Sequence, residues 1–149
     1  MMGHFATGVT VVASRFPDGD PVGLTVNAFT SVSLDPPLVM VCLHKEADAH
    51  DPLLLAGHFG VSFLKASQED LAVSFSQDDP EDRFRGLNVV DGPLGSPLVK
   101  GALAWMECKV AQVFSGGDHS IVVGKVEECE AGEGDPLLFF RGVLTGMKS

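Results

Sequence analysis

Four short stretches of this 149-residue chain carry side chains able to bind a ligand or do chemistry. The first is Thr25-Val26-Asn27, with Ser31 and Ser33 a few residues on. Hydroxyl and amide groups at strand ends can meet the polar edge of a flat heteroaromatic ring, and they serve equally well as turn and edge-strand residues. The second runs from Cys42-Leu43-His44-Lys45 to Ala49-His50, at the start of a predicted helix. A helix N-terminus with Lys45 and His50 nearby suits a phosphate. Glu46 and Asp48 would repel one, and they fit a solvated loop instead. The third is Gly116-Gly117-Asp118-His119, whose glycines permit positive φ and whose Asp118 can orient the imidazole; a polar surface histidine is the plainer reading. The fourth is Phe139-Phe140-Arg141-Gly142, a core strand with one snorkelling arginine, or an arginine that reaches a carboxamide or phosphate.

The first stretch holds no nucleophile, no general base and no metal-ligand set. The chemistry it suits is that of a borrowed cofactor, with the protein supplying binding and orientation. The chain has no Gly-x-Gly-x-x-Gly after a strand, no phosphate-loop motif and no His-Glu-x-x-His. Gly-x-Ser-x-Gly is absent too, which argues against a hydrolase. A nucleotide would bind by a mode other than these.

Composition sets the outer bounds. A chain of 149 residues is read as a single domain spanning 1–149, long enough to bury a core without disulfides or metal. A formal net charge of −10 excludes nucleic acid as the expected partner, since phosphate backbones need a basic face. Cys42, Cys108 and Cys129 lie far apart, which reads as reduced thiols in a cytosol. No run approaches the roughly 20 apolar residues of a membrane helix, and the first residues lack the pattern of a signal peptide. The expectation is a cytoplasmic protein with no membrane partner and no metal.

Strand signals dominate the elements that must position these groups. Val9 to Phe16 is β-branched and stops at Pro17-Asp18-Gly19-Asp20-Pro21. Val22 to Ala28, Phe29 to Leu34 and Leu38 to Leu43 read as strands, the last two separated by an Asp35-Pro36-Pro37 corner. Asp48 to Ala56 reads as a short helix, with Pro52 acceptable in its first turn. Phe59 to Leu64 is a strand. Ser67 caps a second helix through Phe75, and Gln77 to Arg85 is a charged cover. Ala102 to Phe114 and Ser120 to Glu130 form a long hairpin, and Leu137 to Leu144 a final strand. About seven strands with a few short helices fit a mainly β, closed or split barrel with helical caps, not a doubly wound parallel sheet.

The motifs Phe5-Ala-Thr-Gly-Val-Thr-Val-Val12, Gly23-Leu-Thr-Val-Asn-Ala-Phe29, Ser31-Val-Ser-Leu-Asp-Pro-Pro-Leu-Val39, Gly101-Ala-Leu-Ala104, Gly117-Asp-His119 and Pro136-Leu-Leu-Phe-Phe-Arg-Gly142 follow one another in this order. Together they resemble the flavin reductase-like family, the small reductase components of two-component flavin monooxygenases. The resemblance implies a Greek-key split β-barrel of the FMN-binding type, working as a homodimer. It implies an NAD(P)H:flavin oxidoreductase that passes a hydride from NADH or NADPH to FMN or FAD and supplies reduced flavin to an oxygenase component. By that similarity Thr25, Val26, Asn27 and Ala28 hold the flavin ring. Cys42, Leu43, His44 and Lys45 follow the ribityl and phosphate portion toward Ala49 and His50, and the helix around Phe75 closes that side. Asp118 and His119 meet the nicotinamide nucleotide, with His119 as the catalytic-site residue and Arg141 as a support.

The chain departs from the family pattern after Lys45, where it reads Glu46-Ala47-Asp48-Ala49, and at Phe140, where Tyr is common. It also begins close to its first motif, with little of the usual leading helix. Two other readings share the same barrel: a flavoprotein that keeps FMN tightly and relays electrons to a protein partner, and a flavin-binding module without NAD(P)H activity.

Overall fold

The computed structural model describes residues 1–147. Twelve strands and two α-helices follow one another as β1 (Thr7–Gly8), β2 (Thr10–Arg15), β3 (Pro21–Val26), β4 (Phe29–Leu34), β5 (Pro37–His44), α1 (His50–Ala56), β6 (His58–Phe63), α2 (Glu69–Gln77), β7 (Val89–Asp91), β8 (Pro97–Val99), β9 (Ala104–Gly116), β10 (His119–Ala131), β11 (Leu137–Phe140) and β12 (Val143–Gly146). The main sheet has seven strands in the order β3-β2-β6-β9-β10-β5-β4, all antiparallel neighbours. A second sheet runs β1-β11-β12, and β7-β8 is a small hairpin.

The order of the main sheet dictates its shape. Its two edge strands, β3 and β4, are consecutive in the chain and joined only by Asn27 and Ala28. A flat sheet of seven strands would hold its edges about 29 Å apart, whereas the three residue steps from Val26 to Phe29 reach at most about 11 Å. The sheet must therefore roll into a barrel. No ladder pairs β3 with β4, so the barrel is split along that seam. The Cys42 N–H donates to Ala28 O at 3.1 Å, which extends the β4–β5 ladder into the two-residue link. Inside the curve Phe29 meets Phe63 edge-on at 5.3 Å.

Alternation along β2 divides the core in two. Val12 faces the barrel interior with Val41, Leu43, Phe59, Val61, Val122 and Leu53 of α1. Val11, one step away, faces the other side with Val9, Leu64, Ala72, Phe75 and Leu137, beneath α2. A period of two places successive residues on opposite faces. A strand buried on both faces thus supplies two clusters, and α2 is held against the barrel by the second.

Several elements differ from the sequence reading. The helix after Leu64 starts at Glu69, not at a Ser67 cap. A 3₁₀ turn at Ala66–Gln68 precedes it, and the Gln68 amide oxygen accepts the Lys65 N–H at 2.8 Å. Leu137 to Leu144 is two strands, not one: Arg141 and Gly142 both take positive φ and turn the chain back. The β7-β8 hairpin carries only three residues per strand, too short for any alternation to register. Pro52 does fall in the first turn of α1. Among the described residues, no helix is long and apolar enough to cross a membrane.

Candidate functional site: the barrel seam and the end of its longest hairpin

The seam opens into a cleft. One cavity of about 510 Å³ is lined on its apolar side by Val9, Phe139, Val143 and Leu144, and on its polar side by Thr25, Asn27, Glu69 and Ser76. A second, of about 330 Å³, is lined by Thr25, Glu46, Ala47, Asp48, Ala49, Phe75, Ser76 and Arg83. Thr25 and Ser76 line both, so the two cavities adjoin as a trough along β3 and α2. Sites for cofactors are mostly apolar concavities of roughly 300–1,000 Å³ with a few placed polar groups. A planar ring with one polar edge and a polar tail suits this trough.

The first candidate stretch sits on it. The Thr25 hydroxyl donates to Ala72 O at 2.6 Å, which ties β3 to α2 and fixes the width of the trough. Asn27 is exposed and borders both the larger cavity and a third, of about 360 Å³, on the other side of the seam. Ala28 is exposed beside it. Val26 is turned into the barrel interior and lines neither cavity. Ser31 and Ser33 lie farther along β4 and line none of these cavities.

The second stretch is divided by strand geometry. In β5, Val41 and Leu43 point into the core, and Cys42 and His44 point outward. A contiguous run along a strand cannot present every side chain to one ligand. The Leu43 side chain therefore serves the barrel core. Ala49 is buried against the smaller cavity. His50 is buried with both ring nitrogens engaged, Nε2 with Ser120 Oγ at 2.8 Å and Nδ1 with Asp51 Oδ1 at 2.7 Å. Its ring anchors α1 to β10 and has no nitrogen left for a phosphate. Phe75 is fully buried in the second core, 4.9 Å edge-on to Phe84, and backs the wall of the smaller cavity.

The strand register brings the second and third stretches together. His44 at the end of β5 pairs with His119 at the start of β10. The turn between β9 and β10 is only Gly117-Asp118, tighter than the Ser115 to Asp118 break expected from the sequence, with Gly117 at φ 67°. The Asp118 carboxylate accepts from His119 Nδ1 at 2.7 Å and lies 3.8 Å from His44 Nε2. The His119 hydrogen bond, and then its charge, hold that carboxyl below the usual carboxylate range. The Lys45 N–H donates to Asp118 O at 2.9 Å, and Lys45 Nζ donates to Ser115 Oγ at 2.6 Å. The next residues, Glu46 to Ala49, line the smaller cavity. Hairpin tip and trough are thus consecutive along the chain.

Arg141 is elsewhere. It occupies the β11–β12 turn, with its N–H on Gly3 O at 2.7 Å and its guanidinium 4.9 Å over the Phe140 ring. Among the described residues no hydrogen bond or ion pair joins it to residues 117–119, although the adjacent Gly142 borders the larger cavity.

Sequence reasoning missed Arg83. Its Nε donates to Asp78 O at 3.0 Å and its Nη1 to Gly23 O at 2.9 Å, which straps the 78–86 segment across β3. It is the cation on the wall of the smaller cavity, facing the same space as Glu46 and Asp48. Set among Asp78, Asp79, Glu81 and Asp82, it read as part of a solvated charge run. The adjoining Phe84, an aromatic inside that run, was the available sign that the segment packs down.

Residues 2–148 match the flavin reductase like domain. The chain belongs to that family. It is 39% identical over 151 residues to the reductase subunit HsaB of a flavin-dependent monooxygenase from Mycobacterium tuberculosis, covering 99% of this chain and 80% of the relative. It is 41% identical to the FMN reductase (NADH) SmoA from Agrobacterium fabrum, covering 96% of this chain and 80% of the relative. Among solved structures, the NADH:FAD oxidoreductase SgcE6 of Streptomyces globisporus, in complex with NAD and FAD fragments, superposes with a TM-score of 0.92. That pair shares 39% identity over 99% of this chain and 88% of the other. The mainly β, split-barrel architecture expected from the sequence is the architecture of this family.

Proposed function

We propose that this protein is an NAD(P)H:flavin oxidoreductase that reduces FMN or FAD and hands the reduced flavin to an oxygenase component. The observation that carries this reading is the continuity of two sites. A seam trough of cofactor size opens at one end onto the loop that follows His44 and Lys45, and those residues are stitched to the Asp118-His119 hairpin tip. The names of the relatives agree with it.

Flavin, once bound, supplies the hydride acceptor and NADH or NADPH the donor. The chain's own contribution is alignment, since hydride transfer depends on the closeness of two stacked rings more than on a protein acid or base. Asn27 offers its amide to the polar ring edge, and the backbone of Thr25 to Ala28 lies alongside. Val9, Phe139 and Leu144 supply an apolar wall that excludes water. At the tail end Arg83 provides the charge for a phosphate, helped by the backbone N–H groups of Asp48 and Ala49 and opposed by Glu46 and Asp48. That opposition makes Arg83 the main cationic anchor there. His119 positions the nicotinamide nucleotide. Residues 1–149 act as one domain and pair as a homodimer, a reading supported by Val32 and Leu34 standing exposed on edge strand β4.

Anaerobic stopped-flow with FMN or FAD and NADH or NADPH tests the proposal. Bleaching over many flavin equivalents is the expected result. Reduction of a single bound equivalent would replace it with an electron-carrier function, and no reduction with any pair would refute it.

A further inference from the structure

A further cavity, of about 570 Å³, lies at the start of β3 and takes no part in the trough. Three rings, Phe16, Pro21 and Phe84, and three carboxylates, Asp20, Asp48 and Glu81, line it. Asp48 also lines the smaller cavity of the trough, so the two spaces share a wall residue. The strand sets the order of all three. Asn27 and Thr25 line the larger cavity, Thr25 and Leu24 the smaller, and Val22 and Pro21 this one. From Asn27 back to Pro21 the extended chain covers about 20 Å. The segment that crosses β3 repeats the order: Arg83 lines the smaller cavity, and its neighbour Phe84 lines this one. Arg83 Nη1 is tied to Gly23 O, and Phe84 packs so closely that a Cβ at Gly23 would lie 3.1 Å from its ring. Phe84 is held edge-on by Phe75, whereas Phe16, just past β2, stands 38% exposed. Among the described residues no cation lines this cavity, and its three carboxylates have no ion-pair partner. A phosphate would be repelled there. An uncharged base would find aromatic faces to stack on, and its amino group and ribose hydroxyls would find carboxylate acceptors.

We propose that this cavity is an adenosine site and that the flavin taken up is FAD in preference to FMN, with the pyrophosphate at Arg83 and the adenosine between Phe16 and Phe84. This rests on the reductase reading above for the flavin in the trough. FMN ends at its phosphate and would leave the cavity unused. The pyrophosphate of FAD brings no charge beyond Arg83, because the half that follows it is neutral. NADH and NADPH also carry an adenosine, but none of residues 117–119 lines this cavity, and its wall residue Asp48 belongs to the loop at the flavin's tail.

The test is calorimetric titration of oxidised FAD and FMN into wild type, Phe16→Ala and Phe16→Tyr without pyridine nucleotide, followed by the KM for NADH and NADPH at saturating flavin. Wild type should bind FAD more tightly than FMN by about tenfold, the middle of the range for stacking a base on aromatic side chains. Phe16→Ala should weaken FAD about fivefold or more, the lower end of that range, and leave FMN within about twofold. Unchanged FMN binding also verifies the fold of the variant. Phe16→Tyr keeps a ring and should keep the affinity for FAD. Equal affinity for FAD and FMN in wild type overturns the proposal, as does a Phe16→Ala variant that weakens both flavins alike or neither. A rise in the KM for NADH or NADPH with FAD binding unchanged would give the cavity to the hydride donor, and overturns it too. The reductase reading fails separately: a preference for FAD with no reduction by either nucleotide refutes that reading and upholds the adenosine site, whereas turnover without the preference does the reverse.

Discussion

Arg83→Ala separates the binding of a flavin's phosphate from the integrity of the fold. The structure sets two contributions. Removing the side chain deletes hydrogen bonds to Asp78 O and Gly23 O. Asp78 is exposed and its carbonyl will be solvated, whereas Gly23 is buried, so the structural loss is about 1 kcal/mol, one net hydrogen bond. For a domain of this length that lowers Tm by roughly 2–4 °C. The ligand term is larger. A guanidinium hydrogen-bonded to a phosphate at a partly open site contributes roughly 1.5–3 kcal/mol, or about tenfold to a hundredfold in affinity. Riboflavin has the same ring and ribityl chain as FMN but no phosphate. Fluorescence titration of both flavins should therefore show FMN weakened by at least about tenfold and riboflavin nearly unchanged. If the two weaken equally, Arg83 is only a strap and the phosphate is held elsewhere. Glu46→Gln should move the FMN/riboflavin ratio the other way, because it removes a like charge from the same cavity.

His119→Ala should slow reduction by NAD(P)H and leave flavin titration unchanged; parallel loss of both would move His119 into the flavin site. Glu107 is fully buried and accepts the Leu94 and Ser96 N–H groups at 2.7 and 2.8 Å. Glu107→Gln puts an amide donor against one of those donors, so thermal unfolding should show a loss of about 2 kcal/mol, or roughly 4–8 °C; an unchanged Tm would contradict that geometry. Burial, reinforced by Glu107, Cys129 and Glu127, pushes the Cys108 thiol up to about 12. At pH 8 only about one molecule in ten thousand then carries the thiolate, so a thiol reagent should label exposed Cys129 and reach Cys108 only after unfolding. Equal labelling rates in the native protein would refute that burial.

How much was legible in the sequence follows the range of the interaction that decides each feature. Local signals placed the strands around Val9 to Leu64 and the long 104–131 hairpin within a few residues, because alternation and turn chemistry act between neighbours. Pro52 in the first turn of α1 and Gly117 at positive φ were readable for the same reason. Ser67 as a cap was not, because the Ala66–Gln68 backbone tightens into a 3₁₀ turn closed by the Gln68 side chain on the Lys65 N–H. Arg141 in a strand failed because two consecutive positive-φ residues turn the chain without a proline or an Asn-Gly signal.

The sequence by itself determined a mainly β chain, the absence of the common nucleotide-binding loops, and an ordered set of motifs specific enough to name the family. Only the tertiary structure decided which side chains act together. Alternation along β5 sends Leu43 inward and His44 outward, but that His44 meets His119 depends on the β5–β10 register, across about seventy-five residues of chain. His50 was a phosphate candidate until its ring proved locked between Asp51 and Ser120. Arg83 looked like one charge in a solvated run until Phe84 packed on Phe75 and drew it across β3. The trough exists because β3, α2, β12 and the loop after β5 meet from distant parts of the chain, with Thr25 tied to Ala72 O, a meeting that no local pattern encodes.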